Sequence, residues 1–193
     1  MKQRVAIVGR GNVGGALARG LERAGYDLRT VHNDPSAARD VAGWGDIVIL
    51  AVPYAALDAV VPELGNAIDG KVVVDVTNAI TADHQLALGF TTSGAEELQK
   101  KAPAAKVVKA FNTVFAQHMD TGRVKGQRLS LLMASDHQAA KASVEALGRD
   151  LGFDPVDAGP LRNARWLESL GYLNIQLGYV LRMGTEIGFA LVH

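Results

Sequence analysis

An apolar run, Arg4-Val5-Ala6-Ile7-Val8, passes into Gly9-Arg10-Gly11-Asn12-Val13-Gly14 and then into Gly15-Ala16-Leu17-Ala18. No other stretch limits the possible folds of this chain as strongly. The pattern reads as strand, glycine turn and helix, with glycines spaced G-x-G-x-x-G. Gly9 permits the tight turn, Gly11 leaves the backbone open to an approaching pyrophosphate, and Gly14 lets the helix lie close on the strand. The helix N-terminus then offers unpaired N–H groups and a positive dipole end to phosphates. A plain strand-to-helix turn is the alternative, but the Val/Ile strand before it and the Ala/Leu helix after it favour dinucleotide binding.

Downstream, apolar strands alternate with helical stretches, the signature of βαβ units around a parallel sheet. Strands are predicted at 4–8, 27–32, 46–52, 71–76, 106–111, 128–134 and 155–157. Helices are predicted at 12–24, from Ser36 to about Val41, 54–64, 93–101, after Asn112, from an Asp136 cap to about Leu151, and from Leu161 to about Met183. Ser93 with Glu96 forms a capping-box pattern. Only 13 residues, 33 to 45, separate the second strand from the one at Asp46. That leaves no room for the third strand of a usual Rossmann half. The 28–32 strand is therefore expected at the sheet edge, with the 46–52 strand on the other side of the first. The crevice between strands 4–8 and 46–52 becomes the topological switch point, where ligands bind. The expected fold is a Rossmann-type, doubly wound α/β domain with a mainly parallel sheet over 1–160. A short helical appendage, 161–193, is expected to dimerise or to roof the site.

Composition narrows the partners. The 193 residues carry 20 basic and 20 acidic side chains, so no charge excess points to nucleic acid. No apolar run reaches the roughly 18–20 residues of a membrane span, and the chain enters a strand at once, with no signal-peptide pattern. The absence of cysteine excludes disulfides and dithiol relays. A cytoplasmic protein is expected. The histidines at 32, 84, 118, 137 and 193 show no metal-ligand spacing.

The end of the second strand, Val31-His32-Asn33-Asp34-Pro35, should choose between NAD and NADP. Asp34 lies 20 residues beyond Gly14, near the spacing of an acid that accepts from the ribose 2′-hydroxyl of NAD. Asp34-Pro35-Ser36 reads equally well as a helix start capped by Asp34. Arg10 and Arg39 are candidates for a 2′-phosphate, and His32 and Asn33 can donate hydrogen bonds. Arg10 is otherwise a solvated surface cation. The balance of these groups leans to NADP.

Three strand ends should converge on the nicotinamide: Ala51-Val52-Pro53-Tyr54, Asp75-Val76-Thr77-Asn78-Ala79 and Lys109-Ala110-Phe111-Asn112-Thr113-Val114-Phe115. Asn78 and Asn112 can orient a carboxamide or a flavin-type ring, and Phe111 or Phe115 can pack on a ring face. Taken singly, the asparagines are turn formers and the phenylalanines core. Their joint place at strand ends beside a glycine loop favours a site. No tyrosine has a lysine four residues on, and no phosphate loop for a nucleoside triphosphate exists. With no obligatory acid or base, the pattern suits hydride transfer between aligned rings.

The runs Val74-Asp75-Val76-Thr77-Asn78, Val107-Val108-Lys109-Ala110-Phe111-Asn112-Thr113, Leu151 to Leu161 and Gly184-Thr185-Glu186-Ile187-Gly188-Phe189 resemble the NADPH:deazaflavin oxidoreductases that work with coenzyme F420. They also resemble the reductase domain of six-transmembrane metalloreductases. The resemblance covers nearly the whole chain. It implies that Gly9 to Gly14 cradle the pyrophosphate, that Arg10 replaces a residue touching the 2′-phosphate, and that Ala110 to Thr113 line the nicotinamide and deazaflavin site. His32, Asn33 and Asp34 occupy the family's small-Ser-Arg stretch, so its phosphate-binding arginine is Asp34 here. The segment after the second strand is also shorter, which shrinks the adenine-side wall.

The expected function is oxidation of NAD(P)H by a small redox acceptor, with coenzyme F420, FMN or FAD as candidate second substrates. A non-catalytic dinucleotide sensor or assembly subunit is the alternative, and a 2-hydroxyacid or imine dehydrogenase is a third reading. Only 33 residues follow Pro160, too few for a long helical substrate domain. Leucines 167, 170, 173, 177 and 181 recur at helical spacing, either packed on the chain's own sheet or building a two-fold dimer. Gly11→Val should abolish dinucleotide binding by placing a branched side chain where the pyrophosphate must approach; NADH and NADPH titrations followed by fluorescence check this.

Overall fold

The computed structural model describes residues 2–192 apart from Ala82 and His84. His84 and His193, two of the histidines read above for metal-ligand spacing, therefore lie outside the described residues. Five strands form a parallel sheet: β1 (Val5–Val8), β2 (Leu28–Val31), β3 (Ile47–Leu50), β4 (Val72–Asp75) and β5 (Lys106–Lys109), in the order β2-β1-β3-β4-β5. The 13-residue gap thus has the predicted consequence. β2 is the edge, and β1 pairs with β3 in the register Val5↔Ile47 to Val8↔Leu50. The chain reverses direction across the sheet between β1 and β3, which opens the crevice there.

Alternation along the strands explains why both faces must be covered. Val5, Ile7, Ile47, Ile49 and Val74 pack to one side, with α1 (Asn12–Arg23) and α5 (Gln138–Asp150). Ala6, Val8, Val48, Leu50 and Val73 pack to the other, with α2 (Pro35–Trp44), α3 (Leu57–Leu64) and α4 (Gly94–Lys101). All four residues of β1, β3 and β4 are buried, as a sheet sandwiched between helices requires. Ser93 caps α4 as the sequence predicts: its Oγ accepts from the Glu96 N–H at 3.2 Å and donates to Glu96 Oε2 at 2.8 Å.

The C-terminal half departs from expectation in four places. A two-stranded hairpin, β6 (Arg123–Val124) with β7 (Gln127–Arg128), precedes the predicted strand, because Lys125 and Gly126 both adopt positive φ and turn the chain. β8 (Ser130–Met133) pairs with β9 (Asp154–Asp157) and reaches β5 only through an antiparallel bridge, Lys109 to Ala134. Asp136 does not cap α5; its Oδ1 accepts from the Leu161 N–H at 2.9 Å, and His137 occupies the cap position. The short helix after Asn112 is a single 3-10 turn at Ala116–His118.

The long C-terminal helix is also shorter than predicted. A 3-10 turn at Leu161–Asn163 leads into α6 (Ala164–Ile175), which widens into a π turn at Gln176–Val180 and stops. The N–H groups of Met183 and Gly184 fold back to Leu177 O and Gly178 O, closing the helix end. The tail then runs beside β8, with Ser130 N–H donating to Phe189 O at 3.0 Å and Leu191 N–H to Ser130 Oγ at 2.8 Å. Among the described residues no helix is long and apolar enough to cross a membrane.

Candidate dinucleotide and nicotinamide site

The glycine turn sits at the crevice between β1 and β3 and is tied to both neighbours. Gly9 N–H donates to Val31 O at 3.0 Å, and Ala51 N–H donates to Val8 O at 2.8 Å. Gly9 holds φ +103, and a Cβ there would lie 2.3 Å from Ala51 O. A Cβ on Gly14 would lie 2.0 Å from Gly9 O. Neither position tolerates a side chain, because the strand exit at Ala51 rests on Gly9 and the helix rests on the turn at Gly14. Gly11 differs: nothing lies within 4 Å of the Cβ position. The space kept open above Gly11 is therefore not needed by the fold itself. Gly11 is the N-cap of α1, without a side-chain cap and with no acidic residue in the first turn. Asn12 and Val13 begin the helix. Their end of α1 is suited to receive an anion.

At the ribose end the chain leaves β2 through exposed His32 and through Asn33, whose φ is +51. Asp34 is the N-cap of α2: its Oδ1 accepts from Ala37 N–H at 3.0 Å and from the Ser36 hydroxyl at 2.8 Å. These bonds, with the Ala37 N–H foremost, hold its carboxyl below the usual carboxylate range. The cap reading of Asp34 is thus realised, and it does not remove the residue from the crevice. Asp34 and Asn33 line a cavity of about 240 Å³ together with Val52, Pro53 and Glu63. Arg39 needs correction. Its guanidinium turns away to Asn66 Oδ1 at 2.6 Å and packs against Gly65, since its position on α2 faces the end of α3. Arg10 lines a second cleft, which begins at Gly11 and Asn12 of the glycine turn and runs along α1 to Arg19 and Tyr179.

The strand ends expected at the nicotinamide do converge, but their side chains are largely occupied in holding α6. Asn78 Nδ2 donates to Asn112 O, and Asn112 Nδ2 donates to Asn78 Oδ1, both at 3.1 Å. Asn112 Nδ2 also donates to Leu167 O on α6 at 2.9 Å, and Asn174 Nδ2 donates to Thr113 O at 3.1 Å. Gly171 permits this docking; its Cβ would lie 2.5 Å from Asn78 Oδ1. Asn112 therefore serves first as a clamp between strand ends and helix. Its Oδ1 and Thr77 Oγ1 are buried without a hydrogen-bond partner. Phe111 is a core residue: with φ +66 its ring turns inward and meets Phe153 edge-on at 5.8 Å. Phe115 likewise packs edge-on against Tyr179 at 5.5 Å. Ala110 is fully buried below them.

Beneath this layer lies a charge cluster that sequence reasoning missed. Lys109 Nζ, fully buried, lies 2.9 Å from Asp75 Oδ2 and 2.9 Å from Glu168 Oε1, and donates to Thr77 O at 2.6 Å. Glu168 also accepts from the Gly94 and Ala95 N–H groups at 2.9 and 3.3 Å, and Asp75 from Thr77 N–H at 2.9 Å. Burial opposes the charge on Lys109, but Asp75 and Glu168 outweigh it and hold its pKa above the usual lysine range. The available signal was a charge inside an apolar run: Lys109 after Val107-Val108, Asp75 after Val72-Val73-Val74, and Glu168 between Leu167 and Leu170.

Glycine turn, parallel sheet and crevice together define a Rossmann-like dinucleotide-binding domain. Residues 34–79 match the family model of NADP oxidoreductase, coenzyme F420-dependent. The chain is 31% identical over 183 residues to the metalloreductase STEAP3 of Rattus norvegicus, covering 86% of this chain and 36% of that protein. It is 28% identical over 144 residues to the F420-dependent NADP reductase of Methanocaldococcus jannaschii, covering 72% and 65% respectively. A crystal structure assigned as an F420-dependent NADP reductase, from Arthrobacter sp. FB24, superposes with a TM-score of 0.90 at 28% identity, over 99% of this chain and 100% of that one. The chain thus spans about a third of the metalloreductase it matches. The similarity is thus to proteins described as F420-dependent NADP reductases and to a metalloreductase.

Lys109→Met should destabilise the protein by about 3–5 kcal/mol, because it leaves two carboxylates buried without their cation; urea denaturation measures this.

Proposed function

We propose that this protein transfers a hydride between a nicotinamide dinucleotide and a flavin or deazaflavin ring. The observation that supports this most is the open space at Gly11, at the uncapped end of α1, between two turn glycines that are each packed to contact. The backbone from Gly9 to Gly14 would hold the pyrophosphate. Ala51, Val52 and Pro53 would form one wall toward the nicotinamide, and Asn78 with Ala110 to Thr113 the other. The bound nicotinamide supplies the hydride. The residues bind, orient and exclude water. The nearby groups Lys109, Asp75 and Glu168 are engaged with one another and with backbone N–H groups inside the fold, which suits chemistry carried by two aligned rings rather than by a protein acid. Asn112 acts by keeping α6 seated over the strand ends.

Anaerobic oxidation of NADH and NADPH, with coenzyme F420, FMN, FAD and a ferric chelate offered in parallel, tests the reading. Turnover with one of the three ring acceptors is expected. Tight dinucleotide binding with no turnover on any of them would favour a sensor, and turnover with the ferric chelate alone would replace the ring acceptor by a metal.

The segment from residue 161 would complete the site as part of a homodimer. The inward face of α6 carries Leu167, Glu168, Gly171 and Asn174, so much of its buried contact is polar or small. Much of the leucine stripe is left outside: Leu173 and Leu181 are exposed, as are Trp166, Val180 and Met183. These residues do not pack on the chain's own sheet, and a second copy presenting the same face would cover them. Light scattering at micromolar concentration should give twice the chain mass, and Leu173→Glu combined with Leu181→Glu should return the monomer mass.

A further inference from the structure

The cavity between the ends of β2 and β3 has walls of one kind and a rim of another. Val31, Ala38, Val52, Pro53 and Val60 give it apolar sides, fit for a flat base. Its polar groups are Asn33, Asp34 and Glu63, two of them carboxylic acids from different elements, the start of α2 and the end of α3. No lysine or arginine lines it. Two arginines stand one residue from its lining, Arg10 after Gly9 and Arg39 after Ala38, and Arg39 is held by Asn66 just beyond the end of α3. Arg10 lines the cleft that begins at Gly11 and Asn12 and runs along α1 to Arg19 and Tyr179, and it is not among the residues lining this cavity.

From this arrangement we infer that the protein selects NAD(H), with a free ribose 2′-hydroxyl, over the 2′-phosphorylated dinucleotide, and that Glu63 acts with Asp34 as the specificity-determining pair. The inference rests on the dinucleotide reading of the crevice proposed above. A carboxylate accepts hydrogen bonds from the ribose hydroxyls but repels a phosphate, which needs cationic or N–H donors in its place. Asp34 is held ionised by the Ala37 N–H and the Ser36 hydroxyl, so its negative charge is present at neutral pH. A 2′-phosphate would enter a rim carrying two carboxylates and no cation. The archaeal relative described above is an NADP reductase, so a chain that selects NAD(H) would differ from it in its dinucleotide.

The test is direct binding of NADH and NADPH to the whole chain at fixed ionic strength, by nucleotide fluorescence and calorimetry. It compares the native protein with Glu63→Gln and with Glu63→Gln combined with Asp34→Asn. Asparagine caps a helix as well as aspartate does, so the second change removes charge while keeping α2 in place. The native protein should bind NADH at least ~10-fold more tightly than NADPH, and the double variant should shift that ratio toward NADPH by ~10-fold or more, as expected for loss of like-charge repulsion. Equal or tighter NADPH binding by the native protein would overturn the selection of NAD(H) while leaving the dinucleotide reading intact. An unmoved ratio in the double variant would overturn the role of the two carboxylates. Failure to bind either nucleotide would remove the dinucleotide reading and this inference with it.

Discussion

The closeness of α1 to the turn it follows governs the rest of the molecule. Gly14 brings the helix so near to Gly9 that a single added carbon would overlap the Gly9 carbonyl, and Gly9 in turn rests on Ala51 of the neighbouring strand exit. Three backbones meet there with no side chain between them. The contact fixes where α1 points relative to the sheet, and so aims its free N–H groups across the crevice between β1 and β3. Because the sheet reverses direction at that crevice, no crossover helix covers it. An anion can therefore reach the helix end without any part of the core being displaced.

The other end of the site is organised by burial of charge rather than by close backbone approach. Asp75 and Lys109 leave adjacent strands, and Glu168 comes from α6, where it also accepts N–H bonds from the first turn of α4. Such a cluster is a weak source of net stability, since desolvation offsets most of the attraction. It is a strong source of position. Sliding α6 by one turn would strand a carboxylate and an ammonium in the interior. The Asn78–Asn112 amide pair and Gly171 repeat that logic one layer higher, nearer the crevice. The roof over the strand ends is thus fixed by polar bonds, and this leaves the helix free to turn an apolar stripe outward.

Much of this was legible in the residues. The glycine spacing located the turn, the short gap before Asp46 placed β2 at the edge, and Ser93 with Glu96 marked the start of α4. These are local signals, carried by backbone conformation and chain length. What escaped reading depends on partners distant in the chain. Asp136 looks like a helix cap until Leu161 N–H is brought to it. Arg39 looks available for a phosphate until Asn66 takes its guanidinium. Phe111 at a strand exit looks like a ring-stacking group, but positive φ turns it toward Phe153. The leucine spacing of α6 left open whether the stripe meets the chain's own sheet or a second copy, and the polar Glu168 and Asn174 that lie with Leu167 on the buried face were not legible in it. Periodicity reports amphipathicity, and it does not say which face meets the same chain.

The two ends of the crevice also differ in how freely they can change. At the turn and beneath α6, each group is buried and bonded to several others, so a substitution is felt by the whole fold. Asp34 and Glu63 are exposed, and the one structural duty there, capping α2, is met by any small side chain that accepts from the Ala37 N–H. The charge on that rim is therefore nearly independent of stability. A fold of this kind can hold its pyrophosphate cradle and its strand-end scaffold constant while the rim alone decides which ribose it accepts.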